Sequence, residues 1–117
     1  MTVTIEKVTK DDPMLAFYWV AAMDRSTAIW VGRLNGEIAL IWGIAPRSVI
    51  SSTAFVWSVS APPIRHCAKS MLKFSRAWLK EISAEFDELV GLCEFDTVWL
   101  KHLGAKSDGI SFTIRTR

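Results

Sequence analysis

Thr27-Ala28-Ile29-Trp30-Val31-Gly32-Arg33-Leu34-Asn35-Gly36-Glu37-Ile38-Ala39-Leu40-Ile41-Trp42-Gly43-Ile44 reads as two strands joined by a two-residue turn. Asn-Gly tolerates the positive φ values that a tight hairpin loop demands, and both flanking runs are rich in β-branched and aromatic residues. Counting outward from the turn places Arg33 opposite Ile38, Trp30 opposite Ile41 and Ile29 opposite Trp42. Cross-strand pairs of that size stabilise a register. A sheet is therefore the first element of the fold.

The chain before the hairpin begins with Thr2-Val3-Thr4-Ile5-Glu6, which alternates as a short strand does. Asp12-Pro13 then reads as a helix start, Asp12 capping and Pro13 in the first turn, with a helix expected from Met14 to about Met23. After the hairpin, Ala45-Pro46-Arg47-Ser48 breaks the run, and Ser51 to Ser60 reads as a strand ended by Ala61-Pro62-Pro63. Ile64 to Ile82 is the best helix. Ile64, Cys67, Met71, Phe74, Trp78 and Ile82 follow helical spacing as an inward stripe, widened by Ala68, Leu72, Ser75 and Leu79. The other face carries Arg65, Lys69, Lys73, Arg76 and Lys80. Phe86 to Cys93 forms another strand, and Asp96 caps a short helix that Gly104 stops. A turn at Ser107-Asp108-Gly109 leads into a last strand, Ile110 to Thr116. This order predicts an α/β or α+β fold: a mixed, mainly antiparallel sheet with one long crossover helix.

Composition bounds the possibilities. With 117 residues the chain holds one domain, 1–117, and apolar residues make up 50% of it against 22% charged. That excludes a disordered or low-complexity chain. A net charge of +2 does not itself announce a nucleic-acid binder. Cys67 and Cys93 are read as reduced and packed. The start of the chain lacks a secretory pattern and no apolar run is long enough to span a bilayer, so the chain reads as soluble. The six tryptophans suggest more apolar surface than so small a domain hides easily.

Four pieces taken together resemble a known superfamily. They are Ile41-Trp42-Gly43, Phe55-Val56-Trp57, Leu72-Lys73-Phe74-Ser75-Arg76-Ala77-Trp78-Leu79 and Trp99-Leu100-Lys101-His102-Leu103-Gly104-Ala105. In this order they resemble the Gcn5-related N-acetyltransferases (GNAT), and within them the small GNAT-like internal virion proteins of short-tailed phages. The resemblance runs from about residue 3 to residue 114 and implies the GNAT fold. It also implies a protein of the virion or the host cytoplasm, with a phage or host protein as partner and self-association open to it.

The departures bear on chemistry. Acetyltransferases of this superfamily hold the coenzyme A pyrophosphate on a glycine-rich turn at the start of the long helix, where backbone N–H groups converge. The best placement here starts at Arg65 and puts Ala68 and Ser70 at the glycine positions; a shift of one puts Cys67 and Lys69 there. Active relatives often carry a tyrosine four residues before the late glycine as general acid. That position is Leu100, which transfers no proton, and the neighbouring Trp99 only donates a hydrogen bond. Tyr18, the one tyrosine, matches no catalytic position.

The resemblance therefore implies first a non-catalytic GNAT-like phage protein without cofactor. It would act as a structural or adaptor protein through exposed members of the set Trp19, Trp30, Trp42, Trp57 and Trp99. The alternative is an active acetyl-coenzyme A-dependent N-acetyltransferase. Its cofactor would lie against the Val56 to Ser60 backbone, Val59 and Ser60 above all, and the turn from Arg65 to Ser70 with Arg65, Ala68, Lys69 and Ser70, and Glu94, Asp96 or His66 would be the base. His66-Cys67 is not a catalytic dyad, since adjacent helical side chains point about 100° apart. Asp96 and His102 lack the spacing of a helical metal pair, so no metal site is expected. A third reading, a small nucleic-acid module on Arg65, Lys69, Lys73, Arg76 and Lys80, requires exposed rings beside the charges. The pattern places Phe74 and Trp78 inward instead.

Overall fold

The computed structural model describes residues 2–18, 21–46, 52–92, 106–107 and 111–116. Strands β1 (Val3–Val8), β2 (Ala28–Leu34), β3 (Glu37–Pro46), β4 (Thr53–Ser60), β5 (Glu88–Leu92), β6 (Lys106–Ser107) and β7 (Ser111–Arg115) form one sheet in the order β1-β2-β3-β4-β5-β7-β6. All described neighbours are antiparallel except β4 and β5. The one α-helix among the described residues, α1 (Ala68–Ile82), makes the crossover between those two parallel strands. This is the mixed, mainly antiparallel α+β sheet that the sequence predicts.

The hairpin turns at Asn35 and Gly36, with φ of 51° and 85°. Asn35 also ties down the start of β1: its N–H donates to Thr2 C=O at 2.8 Å, and its Oδ1 accepts from Thr2 N–H at 2.9 Å. Arg33 stands opposite Ile38 as counted, but the register then shifts between Gly32 and Arg33. Gly32 pairs with Leu40, leaving Ala39 as the extra residue of a bulge. Trp30 consequently faces Trp42 rather than Ile41, and Ile29 faces Gly43 rather than Trp42. One residue of slip exchanges the two faces of a strand. The bulge thus puts Trp30 and Trp42 together on one face and leaves Ile41 for the other.

Each face has its own core. Trp30, Trp42, Ile44, Ala54, Leu89 and Ile114 pack under α1 with Ile82 and Phe86. Trp78 of α1 meets Trp30 and Trp42 edge-on, with centroids 5.3 and 6.3 Å away, while Trp30 and Trp42 stack at 6.3 Å. On the opposite face Leu15 and Met23 cover Ile29, Val31, Ile41 and Trp57. The Trp57 Nε1–H donates to Ser26 Oγ at 2.7 Å, joining β4 to the segment that covers it.

Several local expectations change. In place of one helix from Met14 to Met23 there are two 3-10 helices, Pro13–Tyr18 and Ala21–Arg25. Asp12 does cap the first, its Oδ1 accepting from Met14 N–H at 3.0 Å. The run Phe17-Tyr18-Trp19-Val20 consists of aromatic and β-branched residues, which lose rotamer freedom in an α-helix. The long helix is also divided. Pro62–His66 is 3-10, and α1 begins only after Cys67, whose φ of −136° is not helical. Within α1, Met71, Ser75 and Ile82 are buried, whereas Phe74 is 39% exposed and Ala68 faces solvent. Lys106 and Ser107 pair with β7. The helix expected after Asp96, with Leu103 and Gly104, lies outside the described residues.

Candidate functional site

Among the described residues the pairing of β4 with β5 stops before β4 does. It covers Thr53, Ala54 and Phe55 against Glu88, Leu89 and Val90, and β4 continues to Ser60. The hydrogen bond from Ala61 N–H to Ala39 C=O, 2.9 Å, sets the phase of the other edge. In an antiparallel ladder alternate residues turn their backbone groups to the same neighbour. Phe55, Trp57 and Val59 therefore turn to β3, while Val56, Ser58 and Ser60 present N–H and C=O toward the gap. The next residue of β5 in line is Gly91, which adds no side chain to that space.

The far end of the gap leads into the turn before α1. Met71 N–H makes the first i→i−4 bond, to Cys67 C=O at 2.9 Å. The N–H groups of Ala68, Lys69 and Ser70 precede it, as they do at any helix start. No acidic residue lies in the first turn of α1, and Arg65 and His66 end the 3-10 helix just before it. The helix dipole makes this end of the gap electropositive. Backbone groups on a strand edge followed by a positive helix start can hold an extended ligand that ends in phosphate.

The other candidates separate. Ser60 is exposed at the end of β4, and Val59 is partly buried in the core opposite α1. Ala68 and Lys69 are exposed and Ser70 is half-buried. Arg65 and His66 line a depression of about 470 Å³ with Asn35, Glu37 and Pro63, beside the hairpin tip. The gap opens on the other edge of β4, so the structure sets His66 beside Glu37 and not beside β5. Glu94, Asp96, Trp19 and Trp99 lie outside the described residues.

Trp30, Trp42 and Trp57 do not serve as surface anchors. They are 9%, 5% and 8% exposed, because the hairpin bulge and Gly43 give all three rings space inside the two cores. Among the described residues the large exposed apolar ones are Phe17, at 87%, and Phe74. No spacing rule tells which backbone groups of Val56 to Ser60 face the gap; that follows from the phase of the β3–β4 ladder. Among the described residues no group of His, Cys, Asp and Glu could hold a metal ion. None of the described helices is long and apolar enough to cross a membrane.

Cys67 is 2% exposed, its Sγ 3.5 Å from Pro63 C=O, and burial pushes its thiol pKa up. A protonated, covered thiol is a poor nucleophile. In a Cys93→Ser background, iodoacetamide at pH 8 is expected to label Cys67 many times more slowly in the native chain than in urea. Equal rates would show an open thiol.

No protein-family model matches this chain, and no curated protein does. Solved structures do. A candidate acetyltransferase from Exiguobacterium sp. 255-15 is 22% identical, with a TM-score of 0.70 over 98% of this chain and 94% of that one. The ribosomal-protein-S18-alanine N-acetyltransferase of Escherichia coli is 14% identical, with a TM-score of 0.67 over 98% and 94%. An N-acetyltransferase from Staphylococcus aureus Mu50 is 10% identical, with a TM-score of 0.70 over the whole of both chains. This chain has the fold of the GNAT acetyltransferases.

Proposed function

We propose that the chain binds an acyl-coenzyme A in the gap between β4 and β5 and transfers the acyl group to an amine. The observation that carries this reading is the early end of the β4–β5 ladder among the described residues, directly before the positive start of α1. The residues fit the ligand in two respects. Val56, Ser58 and Ser60 offer backbone groups to the amides of a pantetheine arm, and the first-turn N–H groups of α1, with Lys69, suit a pyrophosphate. Bound, the cofactor would supply a thioester carbonyl carbon for attack. A neutral amine nitrogen would bond to that carbon, the C–S bond would break, and the sulfur would leave as thiolate. The amine's surplus proton must pass to a base and end on that thiolate. Glu94 and Asp96 are the proposed bases, since they follow the end of β5 by two and four residues. Catalysis would rest mainly on placing the amine against the thioester.

A second reading keeps the fold and drops the turnover: a GNAT-like protein of a phage particle or the host cytoplasm that binds a protein partner. Leu100 at the tyrosine position and Ala68 and Ser70 at the glycine positions favour it. So does Tyr18, which packs into the core opposite α1. Phe17 would then replace the tryptophans as the surface anchor. A product assay separates the two. Incubation with acetyl-coenzyme A and a panel of primary amines should release free thiol together with acetylated amine; binding without product would favour the second reading.

A further inference from the structure

Asn35 is the one asparagine of the sequence, which holds no glutamine, and Gly36 follows it. An Asn-Gly pair carries a reaction of its own, because a backbone nitrogen followed by no side chain can reach the asparagine amide carbon. Both residues are exposed here, and a Cβ built on Gly36 would meet nothing within 4 Å. The amide is also tied. Asn35 N–H donates to Thr2 C=O at 2.8 Å, and Asn35 Oδ1 accepts from Thr2 N–H at 2.9 Å. Facing residues of a hydrogen-bonded antiparallel pair exchange two such bonds through their backbones. Asn35 puts its side-chain oxygen where its own carbonyl would stand, so the reactive amide doubles as the last rung between β1 and β2. Thr2 is exposed and stands just before β1, at one edge of the sheet, where local opening costs least.

We propose that Asn35 is a site of spontaneous deamidation guarded by Thr2, and that its reaction releases the start of β1. When Thr2 lets go, the Gly36 nitrogen gives its proton to a base in solvent and bonds to Asn35 Cγ. The Cγ–Nδ2 bond breaks, and the side-chain nitrogen takes up a proton and leaves as ammonia. Water then opens the succinimide ring. Cleavage of its Cγ–N bond gives aspartate; cleavage of the backbone C–N bond gives isoaspartate, whose main chain runs through Cβ and Cγ. Aspartate keeps an oxygen for Thr2 N–H. Isoaspartate adds a carbon to a two-residue turn whose φ values are fixed at 51° and 85°, and so displaces the rung. Only this second product frees β1. The inference is independent of acyl-coenzyme A binding.

Since Asn35 is the only carboxamide side chain, each conversion raises the mass of the intact chain by one unit. The full chain, carrying a short N-terminal tag free of Asn and Gln that keeps residue 2 inside the polypeptide, would be held at pH 8 and followed by mass spectrometry. Folded, it should gain that unit about fivefold or more slower than in urea, because a hydrogen bond must open first. Thr2→Pro removes the N–H that holds Asn35 Oδ1 and leaves the carbonyl of residue 2 in place. With folding confirmed by circular dichroism, it should deamidate about fivefold faster than the folded parent. Aged chain rich in isoaspartate, scored by isoaspartyl methylation, should unfold at lower urea than Asn35→Asp, which has the charge without the added carbon. Three results would overturn the proposal: equal rates in the folded and urea-unfolded parent, an unchanged rate in folded Thr2→Pro, or aged chain that unfolds together with Asn35→Asp.

Discussion

Trp42→Ala is expected to destabilise the fold by about 3–5 kcal/mol. That is a large part of the roughly 5–15 kcal/mol that holds a domain together. Trp42 is 5% exposed, stacks on Trp30 across the hairpin and takes the edge of Trp78 from α1. Its removal opens a cavity where β2, β3 and α1 meet, and no one neighbour can fill it. Trp42→Phe should cost much less. The indole Nε1 of Trp42 is buried without a hydrogen-bond partner among the described residues, as is that of Trp78. A buried donor left unsatisfied costs about 1–3 kcal/mol. Phenylalanine loses part of the ring area but discards the unsatisfied group, so the two terms oppose each other. Urea unfolding of both variants measures the difference; equal losses would mean that the Trp42 N–H has a partner after all.

Gly43→Ala is the second large effect. A Cβ built on Gly43 falls 2.5 Å from Cζ2 and 2.8 Å from Nε1 of Trp57, inside any allowed contact. Trp57 cannot move aside freely, because its Nε1–H is held by Ser26 Oγ. Overpacking alone costs about 1–3 kcal/mol. Displacing the ring would add the loss of a buried hydrogen bond. Gly32→Ala supplies the control. Its Cβ would fall 2.6 Å from Met71 Cε, the far end of a flexible side chain that can rotate away. Gly43→Ala should therefore lower the urea midpoint clearly more than Gly32→Ala. The reverse order would place the Trp57 ring elsewhere.

Much of this fold is legible in the sequence because its signals are local. Asn35-Gly36 fixes the hairpin turn, Asp12 caps the 3-10 helix that begins at Pro13, and the apolar spacing of Met71, Trp78 and Ile82 finds α1. Pairwise and long-range features escape a residue count. The bulge at Ala39 leaves no mark except Gly32 in mid-strand, yet it decides which face Trp30 and Trp42 share. The tryptophans suggest an exposed interface when counted against chain length. A bulge, a glycine and a helix carrying Trp78 bury Trp30, Trp42 and Trp57 instead. Phe74 reads as inward by spacing, but the buried stripe of α1 centres on Met71, Ser75 and Ile82, which leaves Phe74 about 80° from its middle and 39% exposed. The candidate site is legible only in part. Val56 to Ser60 and the start of α1 follow from the family resemblance, whereas the edge that faces the gap rests on a single hydrogen bond at Ala61.

That edge permits a direct test of acyl-coenzyme A binding. Ser58 turns its N–H to the gap and Val59 turns its own to β3, so proline has opposite consequences at the two positions. Ser58→Pro removes a donor from the gap and none from the β3–β4 ladder. Val59→Pro breaks the ladder opposite Ile41. The measurement is calorimetric titration of acetyl-coenzyme A into the parent chain and Ser58→Pro, with circular dichroism confirming that both are folded. Saturable one-to-one binding to the parent chain, weakened about tenfold in folded Ser58→Pro by the loss of one hydrogen bond, is the predicted result. No binding by the parent chain, or equal binding by the two, would contradict it.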